Sequence, residues 1–433
     1  MHPRTPSARA VLLALVGLTP AALLAAPGAP SSTPPPNEPA GTVAPAPPTD
    51  LWGDRFARLG VDRWHAAGFR GRGVTIALLD RGFRGYREHL GHALPARVTA
   101  QSFTRGGDLE AYPGQHGILC AEVLHALAPD AELLLADWEP ESPGSFLAAV
   151  RWAKDHGAHV ISSSVVTPHW SDGDGGGAVH RELTGLLGGD VLCFASAGNT
   201  ATDRNWTGPF RDGGDGWHEW SAGSLDNDLT PWGDDPITVS LYGHAGSGYE
   251  LVVTDLTAGT EVGRPRTEAD GAGRFSASVR FPPRAGHAYR VRLRRLQGPG
   301  APVHLTTTFA SLAHTTVGPS VCFPADGPEV VALGAVDHDG HRMGYSACGP
   351  ESPRPKPDLV AEVPVPSRWR PRPFGGTSAA APQAAALAAL CWSRHPDWTA
   401  ARVRAALASC ARDLGPPGPD PETGFGLLRL PRE

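Results

Sequence analysis

Beyond residue 26 no run reaches 18 apolar residues, so a helix spanning a bilayer is not expected there. There is no CxxC pair, which argues against a zinc or iron–sulfur site. An EF-hand loop, a repeat of fixed period and a Gly-x-Ser-x-Gly elbow are also missing. Charge is sparse, at 19% of residues, and 44 acids against 38 Lys and Arg leave a net charge of -6. That balance argues against a nucleic-acid binder, which concentrates basic residues on one face. Arg290, Arg292, Arg294 and Arg295 cluster, but they alternate with Tyr289, Val291 and Leu293 and read as a solvated strand face.

What is present suffices for a large fold. The 433 residues are 41% apolar, enough for a sizeable core and two to three domains. Residues 1–26 read as an export signal: Arg4 and Arg9 precede an apolar stretch from 10 to 26 that ends in Ala25 and Ala26. Residues 27–49 hold nine prolines and read as an extended tether. Six cysteines follow, an even count that fits an oxidising compartment. Cys391 with Cys410 and Cys322 with Cys348 are the preferred pairs, with buried free thiols as the alternative. The acids Asp172, Asp174, Asp212, Asp215 and Asp226 are candidate ligands for a structural calcium, or else solvated loop acids. Asn205-Trp206-Thr207 is a formal glycosylation sequon.

From about residue 50 strands and helices alternate. Strands are expected at 74–79, 131–136, 158–165 and 191–195, with helices at 117–127, 146–156 and 178–187. This is the pattern of a parallel sheet covered by helices on both faces, an α/β fold. It breaks off near 215. Period-2 runs follow, such as Ile237, Val239 and Leu241, or Phe275, Ala277, Val279 and Phe281, and predict an antiparallel β-sandwich over 215–312. The α/β pattern resumes over 313–433, with a strand at 330–336 and helices at 379–392 and 399–408. The first part of that domain therefore spans 50–214. An insertion into a surface loop is cheap, so the rest is expected to fold without the sandwich.

Four segments carry chemistry. Asp80 ends the first strand, His116 precedes a helix, Asn199 follows a strand in Ser196-Ala197-Gly198-Asn199, and Ser378 enters a helix in Gly376-Thr377-Ser378-Ala379. Strand C-terminal ends form one rim in an open α/β sheet, so the four can converge. The residue types suit hydrolysis. A serine hydroxyl needs a histidine to take its proton, and that histidine needs a carboxylate to fix its tautomer. An oxyanion needs donors, which the Asn199 amide and the Ser378 N–H can supply.

With Gly376-Thr377-Ser378-Ala379-Ala380-Ala381-Pro382, Leu78-Leu79-Asp80, His116-Gly117 and the Asn199 segment in this order, the chain resembles the subtilisin-like serine proteases, the subtilases (peptidase family S8). The resemblance covers about 60–225 and 313–428 and includes Ser346–Pro350, Lys356–Leu359 and Gly424-Phe425-Gly426. It implies a three-layer fold with a mostly parallel central sheet, interrupted here by the sandwich. It also implies a triad of Asp80, His116 and Ser378, with Asn199 in the oxyanion hole. A substrate-binding region would be formed by Ser162, Ser163, Ser164, Val166, Ala197 and Gly198. The chain departs from the family in Arg81 after the aspartate, Ile118 after His116-Gly117, and Ser162 and Val166 where the family often has Asn and Gly. Only about 24 residues lie between tether and first strand, too few for the folding prodomain of many secreted relatives.

The expected activity is that of a secreted serine endopeptidase, acting outside the cell or in a bacterial envelope or periplasm. Its partners would be peptide or protein substrates, with no nucleic acid, no stable membrane insertion after processing and no metal or other cofactor required. The rival readings are a catalytically weak subtilase homologue used as a binding or adhesion module, against which the intact quartet counts, and an acyl hydrolase of another kind, against which the missing elbow counts.

Overall fold

The computed structural model describes residues 52–350 and 355–432. The export signal and the tether lie outside them. Two short helices, α1 (Gly53–Leu59) and α2 (Val61–Ala66), lead into β1 (Thr75–Leu79), β2 (Thr99–Ser102), α3 (His116–Leu127), β3 (Glu132–Asp137), α4 (Pro143–Asp155), β4 (Val160–Ser163), α5 (Ala178–Leu187) and β5 (Leu192–Ser196). Ten strands follow: β6 (Asn205–Gly208), β7 (Asn227–Pro231), β8 (Ile237–His244), β9 (Gly248–Asp255), β10 (Thr260–Gly263), β11 (Glu268–Ala269), β12 (Arg274–Phe281), β13 (Tyr289–Gln297), β14 (Val303–Thr308) and β15 (Ala310–Leu312). The chain closes with β16 (Val330–Val336), β17 (Leu359–Glu362), α6 (Thr377–Arg394) and α7 (Ala400–Cys410).

Seven strands form a parallel sheet in the order β17-β16-β5-β4-β1-β3-β2. The alternation of side chains along β1 shows how it acquires two covered faces. Ile76 and Leu78 enter a core shared with α3, α6 and α7. Ala77 and Leu79 enter the opposite core, shared with α4 and α5. Local chemistry sets the helix starts: Ser142 caps α4 by accepting the Ser145 N–H, with Pro143 in the first turn, and Thr399 caps α7 by accepting the Arg402 N–H. α6 is buried along nearly its whole length. Its alanines, among them Ala384, Ala385, Ala388 and Ala389, let it lie close against the sheet.

The other ten strands make two five-stranded sheets, β10-β9-β13-β7-β15 and β11-β12-β8-β14-β6. They enclose a core of Ile237, Val239, Leu241, Leu251, Phe275, Val291, Leu293 and Leu305, among others. β12 alternates between buried and partly exposed positions, as the period-2 reading requires, but β8 is buried on both faces up to Gly243. The cause is contact with the parallel-sheet region. Ser240 Oγ pairs with His169 Nδ1 at 3.2 Å, Arg274 Nη1 donates to the His169 carbonyl, and Asp270 accepts the Ala178 N–H at 2.9 Å. The sandwich thus braces the start of α5.

Three further expectations change. The strand expected at 158–165 ends at Ser163, and Ser164 to Val166 leave the sheet. All six cysteines are free: the Cys322 thiol donates to the Ser320 carbonyl and the Cys348 thiol to that of Val317, while Cys391 is buried and Cys410 is half-exposed. The sequon is closed, because Asn205 is fully buried and its amide donates to the carbonyls of Thr316 and Pro319.

Candidate active site

The parallel sheet delivers its C-terminal ends in the order β5, β4, β1, so Asn199, Ser164 and Asp80 follow one another along one rim. Asp80 is fully buried. Its Oδ1 accepts the Arg81 N–H and lies 2.6 Å from His116 Nδ1. Held this way, Nδ1 carries the proton and Nε2 is left as a base. The turn between them needs glycine at position 82: its φ is 82°, and a Cβ there would lie 2.7 Å from the Gly114 carbonyl carbon.

His116 opens α3, and its side chain is 35% exposed, enough to face a substrate. Burial alone would lower its pKa. The Asp80 charge and hydrogen bond outweigh that burial, and the Arg370 charge opposes them, so the imidazole pKa lies above its ordinary value. Phe374 meets the ring edge-on at 5.6 Å.

Ser378 stands in the first turn of α6, where the N-cap is Gly376 and the helix dipole favours negative charge. Pro382 has no N–H to offer the carbonyl four residues earlier, that of Ser378. The freed carbonyl accepts instead from Ser164 Oγ at 3.2 Å and from the Cys120 thiol at 3.6 Å. Cys120 Sγ also lies 3.9 Å from His116 Nδ1, so this thiol touches both the His116 ring and the Ser378 backbone. Burial pushes its pKa well up, which keeps it neutral. Ser378 Oγ donates to the Ser164 carbonyl at 3.4 Å.

Asn199 is fixed through its carbonyl oxygen, which accepts the Thr377 N–H and the Thr377 hydroxyl, each at 2.9 Å. Its amide then points past Gly376, where a Cβ would come within 2.8 Å of Nδ2. Gly198 donates its N–H to Thr377 Oγ1 at 3.3 Å. The structure therefore brings Asp80 to His116, Asn199 and Gly198 to Thr377, and Ser164 to Ser378.

Other expected substrate contacts lie deeper. Ser162 and Ser163 are buried inside β4, which pairs with β1 on one side and β5 on the other, so no strand edge is free for a peptide before Ser164. Ala197 is fully buried, its carbonyl taken by the Cys322 N–H. Val166 is half-buried and stands outside the apolar core that Val165 packs against.

The candidate calcium ligands are spread between the 171–177 loop and the sandwich. Asp212 and Asp226 pair with Arg295, Arg290 and Arg292, which also explains the arginine-rich strand, and Asp172 and Asp174 face His244. Asp215 lends its carbonyl to Arg294. Groups of three closely spaced ligand atoms occur instead at Asp80–His116–Cys120 and at Asp337–Asp339–His341.

Sequence reasoning missed Ser164 as a partner of the Ser378 carbonyl, although a proline four residues after Ser378 was the available signal. It also missed His180, which is buried between Asp326 at 3.0 Å and Glu329 at 3.2 Å.

Comparison with known proteins agrees with this architecture. The family model described as Subtilase family matches residues 312–426. Subtilisin amylosacchariticus of Bacillus subtilis subsp. amylosacchariticus is 37% identical over 106 residues, 24% of this chain and 26% of that protein. Subtilisin DY of Bacillus licheniformis is 29% identical over 244 residues, 55% of this chain and 81% of its own length. The chain thus spans about a quarter of the length of the first curated relatives it matches, and more of others. Among solved structures, the CspB protease of Clostridium perfringens superposes with a TM-score of 0.62 at 15% identity, covering 87% of this chain and 97% of that one. At that identity the likeness speaks for the fold alone.

Proposed function

We propose that this chain, which has the subtilisin-like S8 peptidase fold with an additional β-sandwich, is a serine endopeptidase acting through Asp80, His116 and Ser378. The observation that carries the reading is the Asp80–His116 bond at 2.6 Å on the rim that also holds Ser378. Ser378 Oγ turns from the Ser164 carbonyl toward His116 Nε2, loses its proton to it and attacks the scissile carbonyl. The oxyanion is held by the Asn199 amide and the Ser378 N–H. His116 then protonates the leaving amine, and water, activated by the same imidazole, releases the acyl group. No metal or cofactor enters these steps. The N-terminal export signal argues for a secreted or envelope protein, and no described helix is long and apolar enough to cross a membrane. A fluorophosphonate probe should label the protein, with the adduct mapped to Ser378 by mass spectrometry; labelling elsewhere or none at all would sink the reading.

Two residues tune the reaction. Asn199→Ala should lower kcat by about 10²–10³ with little change in KM, because the oxyanion exists only in the transition state. A raised KM at constant kcat would place Asn199 in ground-state binding instead. Val166 follows the end of β4 by three residues, and its branched side chain would narrow the pocket for the residue before the scissile bond. Val166→Gly should raise kcat/KM about tenfold for Phe relative to Ala before the scissile bond. An unchanged ratio in a folded variant would show that Val166 does not line the pocket.

A further inference from the structure

Residues 363–376 read Val-Pro-Val-Pro-Ser-Arg-Trp-Arg-Pro-Arg-Pro-Phe-Gly-Gly, with three arginines and no acid just before the nucleophile helix. The segment is a tied hairpin. Val365 and Phe374 exchange two backbone hydrogen bonds, of 2.7 and 2.8 Å. Beneath it, the buried Glu122 of α3 accepts the Ser367 hydroxyl at 2.7 Å and the Arg368 N–H. Trp369 rests on His89, with ring centroids 4.6 Å apart, and Arg370 Nη2 donates to the Pro373 carbonyl at 3.3 Å. Four prolines, Pro364, Pro366, Pro371 and Pro373, limit what the loop backbone can do, so the hairpin holds one place.

That place is beside the base. Phe374 packs on His116, and the Arg370 charge reaches the imidazole. Along the rim, Asn199 lies on the β5 side of Ser164 and Asp80–His116 on the β1 side, so Ser378 separates an oxyanion side from a His116 side. His116 must hand its proton to the departing nitrogen, which puts the leaving half of the substrate on the His116 side. The hairpin stands there. Arg372, between Arg370 and Phe374, is exposed and makes no ion pair among the described residues, whereas Arg368 lies farther along α3, where its charge acts on Glu122 and His125. The acids beneath are spoken for: Glu122 by the loop itself and Asp80 by His116. A guanidinium presents a planar fork that matches a carboxylate.

We infer that the 365–374 hairpin recognises carboxylate side chains on the leaving-group side of the scissile bond, with Arg372 as the specificity-determining residue. The substrate class is therefore acidic peptides, cut ahead of Asp or Glu residues. This rests on the endopeptidase reading above. Exposed charge pairs are individually weak, so the preference is graded, and salt should erode it.

The test uses the full-length protein and matched peptides that carry Glu or Gln at each of the first three positions after the scissile bond. At low salt, kcat/KM should favour Glu over Gln about fivefold to tenfold at one or more positions. That ratio should fall toward one in about 0.5 M salt, and below one in Arg372→Glu but not in Arg368→Glu, with circular dichroism confirming that the variants fold. Cleavage with a Glu-to-Gln ratio near one at all three positions, or a ratio untouched by Arg372→Glu and by salt, would overturn the inference and leave the endopeptidase reading standing. Absence of any cleavage abolished by a fluorophosphonate would overturn that reading and this inference with it.

Discussion

Ser378→Ala is expected to lower kcat by about 10⁴–10⁶ while leaving the fold in place. Both halves of that expectation come from the same few atoms. The hydroxyl makes one long hydrogen bond, 3.4 Å to the Ser164 carbonyl, so its removal costs little stability. The anchoring of this corner is done by the Ser378 carbonyl, which the substitution keeps and which still accepts from Ser164 and Cys120. What disappears is the proposed nucleophile. The variant should melt within a degree or two of the wild type, give no fluorophosphonate adduct, and retain a small residual rate from the oxyanion donors alone. Peptide cleavage at the wild-type rate by the pure variant would refute the proposed mechanism.

The parts of this site that were legible in the sequence are those with local signatures. β16 and α5 fall where periodicity and turn residues place them, because each is a continuous apolar or amphipathic run between clear breakers. Asp80, His116, Asn199 and Ser378 are each marked by neighbours that a sharp turn or a close approach requires, glycine above all. β2 and β17 escaped notice, since four residues give too little periodicity, and β2 is mostly polar and partly exposed at the sheet edge. The disulfide pairs failed for a different reason: proximity of elements in the chain says nothing about where two sulfurs point. The two-sided burial of β8 depends on a partner surface some seventy residues earlier, Ser240 against His169. The arginine-rich strand reads correctly as a surface, but its neutralising acids lie on other segments of the sandwich, at Asp212, Asp226 and Asp228.

The least legible feature joins residues 146 apart and carries the largest stability effect expected here. His180 of α5 is 2% exposed, against Phe323 and between the Asp326 and Glu329 carboxylates. Burial alone would depress its pKa; the two carboxylates reverse that and raise it to about 9. Asp326, in turn, accepts the Ser171 hydroxyl and the Gly175 N–H, which ties the 171–177 loop to the segment whose Cys322 N–H supports Ala197, two residues before Asn199. A histidine raised in the folded state binds its proton more tightly there than in the unfolded chain. Its stabilisation is therefore complete below about pH 6.5 and lost as pH rises toward 9. His180→Ala removes the cation and leaves two carboxylates without it in a dry site, which should cost about 3–5 kcal/mol near neutral pH. Urea unfolding of both proteins at pH 6 and pH 9.5 checks this. The gap between wild type and variant should be widest at pH 6 and shrink by most of its size at pH 9.5, since by then the native imidazole has lost its charge. A gap that stays constant across that range would mean that His180 is held by packing against Phe323 rather than by its charge.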